Sequence, residues 1–144
     1  MNTFIKREYD YAIRICAYLA GFEHKKPVPL PKVAKVLFIT KPFATKIVHK
    51  LMNAGITGSV QGKAGGIYLN ENPTNLSLFH ILKAMHFNST LNECIEEHHR
   101  CPLLKTCKIH EFFIEAEQNL FDKFKNKMIS DLIIKDTDIS PCLL

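Results

Sequence analysis

A mostly α-helical fold with a small β-wing is predicted for this 144-residue chain by three observations. Apolar residues recur at helical spacing through most of its length. Two short helical patterns, separated by a tight connection, are followed by two strand candidates around a Gly-rich tip. A long charged helix with a narrow apolar stripe comes last. Together these describe a winged helix-turn-helix head over residues 1–86, followed over residues 87–144 by a cysteine-bearing loop and a dimerisation helix. The length allows one well-buried core or a compact head with an arm, and not two full domains.

From Lys6 to Ala20, residues Tyr9, Ala12, Ile13, Cys16, Ala17 and Ala20 mark a first helix, with Gly21 as its stop. Residues 24–29 read as a loop. Leu30, Val33, Ala34 and Leu37 then fit a short second helix with Pro31 in its first turn. In FITKPFATKIVHKLMNAG, Thr40 is a suitable N-cap and Pro42 fits the first turn; Ala44, Ile47, Val48 and Leu51 share one face, and Gly55 ends the helix. Phe38 and Ile39 form the tight connection of the helix-turn-helix. ITGSV and IYL are the strands of the wing, with QGKAGG as its tip. SLFHILKAM gives a further helix, facing inward with Leu78, Ile81, Leu82 and Met85. Between Ile109 and Met128, residues Phe113, Ala116, Leu120 and Phe124 form the narrow stripe of the long helix. Such a stripe must be buried, against the chain's own head or against a second copy of the same helix, and the second copy is expected. Residues 136–144, DTDISPCLL, read as a loose tail.

Charge separates the halves. Residues 1–70 hold eleven Lys and Arg against three Asp and Glu, whereas residues 71–144 hold eight against eleven. A basic head on a mildly acidic arm is the footprint of a nucleic-acid-binding unit joined to a regulatory or oligomerising one. With the apolar face of the second motif helix turned inward, Lys41, Thr45, Lys46, His49 and Lys50 lie on its open side, next to the cap Thr40. That side can enter a major groove, while lysines farther along and Lys63 at the wing tip meet phosphates; Gln61 stands beside Lys63 in the tip. A solvated lysine face would look the same in isolation; the ordered sequence of cap, proline, apolar face, glycine stop and wing favours double-stranded DNA as the partner.

The N-terminus lacks an apolar segment ending in a small-residue cleavage site, and no apolar run has the length of a membrane span. A cytoplasmic protein with no membrane association is expected, in which clustered thiols stay reduced. Three of the five cysteines, Cys94, Cys101 and Cys107, fall within fourteen residues, and His110 follows. Zinc sites favour ligand pairs two to four residues apart; this spacing is wider. Three thiolates in a short loop, completed by a ligand from elsewhere, are compatible with an iron-sulfur cluster, with Pro102, Leu103 and Leu104 shielding it from water. Metal-free thiol switching and zinc binding in an interaction module are the alternatives. Cys16 reads as a small buried hydrophobe, Cys142 has no role, and His98 and His99 read as solvated. No paired acid–base constellation and no phosphate-cradling loop after a strand is present, so an enzyme is not expected.

DYAIRICAYLA, ITKPFATKIVHKLMNAGI, VQGKAGGIYL, SLFHILKAM and the three spaced cysteines ahead of the long helix resemble the Rrf-type winged-helix transcription regulators, nearly end to end. That group contains regulators of iron-sulfur cluster assembly and nitric-oxide-sensing repressors. The resemblance implies a homodimer, a cluster of the 2Fe-2S or 4Fe-4S type near its interface, and operator binding that depends on the cluster's state. It also implies two candidates for the fourth ligand. His110 matches the Cys-x2-His of the cluster-assembly regulators, and Asp10 stands where the nitric-oxide sensors carry an acidic residue that reaches the partner subunit's cluster. Two departures accompany it. Gln61 stands where cluster-assembly regulators commonly have arginine, and the six residues between Cys94 and Cys101 differ slightly from close relatives.

Overall fold

The structure, a computed structural model, describes residues 3–96, 101–103 and 106–140. Six helices and one hairpin follow in order: α1 (Arg7–Leu19), α2 (Leu30–Val36), α3 (Lys41–Asn53), β1 (Thr57–Val60), β2 (Gly66–Leu69), α4 (Leu78–Ala84), α5 (Glu93–Glu96) and α6 (Lys108–Asn126). The predicted class, mostly helical with a small wing, is the one observed.

Helix α1 is the centre of the core. Besides Tyr9, Ala12, Cys16 and Ala17 it buries Ile15, Tyr18 and Leu19, so its second half is enclosed nearly all round, with α3 and α4 against it. Ile13 and Ala20, placed on the stripe from spacing, are only partly buried. Gly21 has a reason other than helix termination: a Cβ there would lie 3.0 Å from the backbone oxygen of Ile134, which passes alongside.

Three helices end in the same manner. After α3, Gly55 takes the left-handed conformation (φ 76°), its N–H bonds to the Met52 carbonyl, and the Ile56 N–H bonds to that of Leu51. Leu51 and Ile56 are both buried, which adds the apolar contact that accompanies this cap. The same pair of bonds closes α2 at Phe38 (φ 58°) and α4 at His86 (φ 61°). An L residue with a Cβ is disfavoured there by about 1 kcal/mol or more, and Phe38 is 69% exposed, so burial does not compensate. Phe38→Gly is therefore expected to stabilise the fold by roughly 0.5–1 kcal/mol, raising Tm by roughly 2–4 °C in a thermal melt. An unchanged or lower Tm would show that the ring makes compensating contacts.

The wing is a two-stranded antiparallel sheet pairing Thr57 with Leu69 and Val60 with Gly66. It gains a third, one-residue strand that the sequence reading placed in a loop. Val28 exchanges both backbone hydrogen bonds with Ile67, at 2.8 and 2.9 Å. Gly66 permits that approach, since a Cβ would come within 2.3 Å of the Val28 carbonyl oxygen.

After α6 the chain returns to the head. Leu78 donates to the Lys127 carbonyl and Ile129 to that of Leu76, and Ile129 is fully buried. The tail expected to be loose from residue 136 is instead tied down over 136–140. Asp136 opens a 3₁₀ turn and accepts a 2.7 Å hydrogen bond from the Tyr18 hydroxyl, which burial and that carboxylate together push well above its usual pKa. Ile134 donates to the Ala17 carbonyl. Residues 141–144, including Cys142, lie outside the described residues.

Candidate functional site

Helix α3 forms where expected because its N-terminus is prepared locally. The Thr40 hydroxyl accepts from the Phe43 N–H, and Pro42 occupies a first-turn position where no backbone donor is needed. Ala44, Ile47, Val48 and Leu51 anchor the inner face in the core. The opposite face carries an open depression of about 620 Å³ lined by Lys41, Pro42, Thr45, Lys46, His49 and Lys50. Five of the candidate DNA contacts thus share one surface. Gln61 and Lys63 are exposed at the wing tip, where Gly62 (φ 105°) turns the chain.

Two of these side chains carry local bonds that composition could not reveal. The Thr45 hydroxyl donates to the Lys41 carbonyl at 2.8 Å, which leaves its oxygen available as an acceptor. Lys50 is held by Glu8 from the first turn of α1, Nζ to Oε2 at 3.0 Å, and the Lys46 ammonium lies 4.0 Å from the same oxygen. Glu8 was missed in the sequence because nothing in its spacing sets it apart from an ordinary first-turn acid.

The cysteine stretch begins at Asn92, whose side chain accepts from the Cys94 N–H and starts the one-turn helix α5. Glu117 of α6 fixes the approach by accepting from the Leu91 N–H at 3.0 Å. On this support Cys94 meets His110, Sγ to Nδ1 at 3.4 Å. Cys107 is the N-cap of α6, and His110 lies in the first turn of that helix. Cys101, with Pro102 and Leu103 beside it, is exposed. His98, His99 and Leu104 lie outside the described residues. Among the described residues no three His, Cys, Asp or Glu side chains converge as a metal site would require. The candidate Asp10 is on α1, engaged by its own helix: the Arg14 Nε donates to Oδ2 at 2.9 Å. Cys16 is fully buried, and desolvation, with a smaller contribution from the charge of Glu71, drives its thiol far above the ordinary pKa. It behaves as the buried hydrophobe expected.

Along α6 no residue is fully buried. Phe113, Ala116, Leu120 and Phe124 are each partly covered. Phe124 packs against the head's core, and Phe121 sits edge-on to Phe79 and Phe87 with ring centroids 5.9 and 6.2 Å away. Toward its N-terminus the helix leaves Ile109 66% and Phe112 64% exposed. The stripe read from spacing did not include Ile109, Phe112 or Phe121. Among the described residues no helix is long and apolar enough to cross a membrane.

A helix-turn-helix with a lysine-lined outer face, a hairpin beside it and a cysteine-bearing arm define a winged-helix DNA-binding regulator. Within that class the chain belongs to the Rrf2 family, described as iron-dependent transcriptional regulators, whose model matches residues 5–135. A chain of Aquifex aeolicus named as an HTH-type transcriptional regulator is 30% identical over 125 residues, covering 85% of this chain and 86% of that one. The HTH-type transcriptional regulator NsrR of Shouchella clausii is 27% identical over 135 residues, covering 93% and 91%. Among solved structures, CymR, the global cysteine regulator of B. subtilis, superposes with a TM-score of 0.76 at 20% identity, over 92% of this chain and 96% of that one. These relatives are regulators and not enzymes.

Proposed function

We propose that this transcriptional regulator is a cytoplasmic homodimer that represses or activates its targets under the control of an iron-sulfur cluster held by Cys94, Cys101, Cys107 and His110. The observation that carries this reading is the meeting of Cys94 with His110 at 3.4 Å across the loop between α5 and α6. A soft sulfur and an imidazole already side by side, with Cys107 at the positive end of α6, form a donor set that suits iron in a cluster. When bound, the cluster would supply a group whose oxidation or loss alters the loop. The chain's own residues would supply the rest: Glu117 steadies the approach to Cys94, and α6 carries the loop's state to the dimer face. Residues 1–86 would serve as the DNA-reading head and 87–144 as the sensing and dimerising arm. On DNA, Lys41, Thr45 and Lys46 would face base edges, with Thr40, His49 and Lys63 toward the backbone.

A second reading keeps the head and makes the three cysteines metal-free thiol switches; the exposure of Cys101, which leaves its thiol open to oxidants, favours it.

Anaerobic purification decides between them. The first reading expects a coloured protein with visible absorbance and stoichiometric iron and sulfide. A colourless, iron-free protein whose thiols are reversibly oxidised would establish the second, and stoichiometric zinc would replace both. For the head, Lys46→Ala and Lys63→Ala are each expected to weaken DNA binding, and Lys63→Ala, as the loss of a phosphate contact, to reduce the salt slope by about 1. If affinity for both specific and mixed-sequence DNA is unchanged, the assigned face is wrong.

A further inference from the structure

The DNA-facing surface of a basic head is expected to be uniformly cationic, yet one carboxylate is built into it. Glu8 is only 26% exposed at its side chain and is placed by the first turn of α1 against the middle of α3. It holds Lys50, itself 30% exposed, at 3.0 Å, and approaches Lys46, which is 64% exposed, only to 4.0 Å. The two lysines are therefore unequal. Lys46 is an exposed cation loosely associated with Glu8; Lys50 is closely paired and partly buried.

We propose that Glu8 is a specificity-determining residue that withholds Lys50 from the phosphate backbone and so suppresses sequence-independent binding. The inference rests on the DNA-binding role of the α3 face. Binding to arbitrary DNA is driven by lysines that neutralise phosphates and release counterions, irrespective of sequence. For Lys50 to join them it must leave its partner, and the abandoned carboxylate would then face the phosphates with like charge. Binding at a cognate site draws instead on base contacts by Lys41 and Thr45 near the N-terminus of α3, which Glu8 does not engage, and on Lys46, which it holds only loosely. Penalising the wrong complex more than the right one raises the ratio between them.

The test uses the full-length protein and a labelled mixed-sequence duplex, titrated between about 50 and 200 mM salt. Glu8→Gln, which preserves shape and removes charge, is expected to tighten binding several-fold and steepen the salt slope by about 0.9, the contribution of one released lysine. Glu8→Asp, which keeps the charge, should remain nearer the wild type. Lys50→Gln alone should leave the salt slope unchanged, because Lys50 makes no phosphate contact while Glu8 holds it, although the stranded carboxylate weakens binding; combined with Glu8→Gln it should cancel the gain in slope, the coupling that a double-mutant cycle isolates. An unchanged slope in Glu8→Gln overturns the proposal, as does a Lys50→Gln effect of equal size in both backgrounds. A wild type that binds the duplex without salt dependence, or loses nothing on Lys46→Ala, would remove the DNA-binding reading of this face itself.

Discussion

Leu120→Glu is expected to yield a monomer and to weaken operator binding on the order of a hundredfold or more, through loss of the second half-site. Helix α6 uses its C-terminal half on its own head, where Phe121 meets Phe79 and Phe87. Its N-terminal half has no such cover, and Ile109 and Phe112 stand largely exposed beside the half-covered Phe113, Ala116 and Leu120. A helix presenting that much apolar surface at one end is suited to a second copy packed about a two-fold axis. Leu120 sits between the two halves, so a carboxylate there meets a desolvated contact whose cost is several kcal/mol. Light scattering reads the mass, and titration of a duplex selected from a random pool reads the affinity. A Leu120→Glu dimer of unaltered affinity would place the interface elsewhere. Phe112→Glu, at a residue 64% exposed, serves as a companion and should behave alike.

Cys94→Ala is expected to abolish the visible absorbance of the anaerobically purified protein, His110→Ala to shift or bleach it, and Asp10→Ala to leave it unchanged. The order follows from geometry. His110 already touches Cys94, whereas Asp10 is occupied by Arg14 within one turn of α1, and that bond would have to open before the carboxylate could reach a partner subunit. Visible spectra with iron and sulfide analysis compare the three variants directly. A bleached Asp10→Ala with an intact His110→Ala spectrum would transfer the fourth ligand to the first helix. Spectra unchanged from the wild type in both His110→Ala and Asp10→Ala would mean that neither completes the site.

The helices of the head were legible wherever apolar spacing, a cap and a stop coincided. Thr40, Pro42, the Ala44 to Leu51 face and Gly55 each perform the local task their chemistry suggests. The left-handed caps at Phe38 and His86 were not legible, because a residue with a Cβ gives no sign of a positive φ. Val28 was read as loop because a one-residue strand has no period; only Gly66, which must be small for Val28 to approach, hinted at it. The tail was misjudged for a related reason. Asp136 looks like any polar terminal residue until Tyr18 is found opposite it, 118 positions away in the chain. At the cysteine stretch the residue types pointed to shared chemistry, and spacing suggested pairing His110 with Cys107. The contact formed is with Cys94, sixteen residues away, which depends on how α5 meets α6.

The bridge between Ser77 and Met128 has a consequence for synthesis. From Ser77 the chain runs through α4, the cysteine loop and α6, and comes back at Met128 to insert Ile129 beside α1. As the chain emerges from the ribosome, the helix-turn-helix and wing are complete in sequence long before the residue that closes their core. A nascent head lacking Ile129 has an apolar vacancy beside its central helix, and filling it requires that the whole cysteine-bearing segment has already been made. The order of translation thus ties the finishing of the head's core to the presence of the segment proposed to govern it.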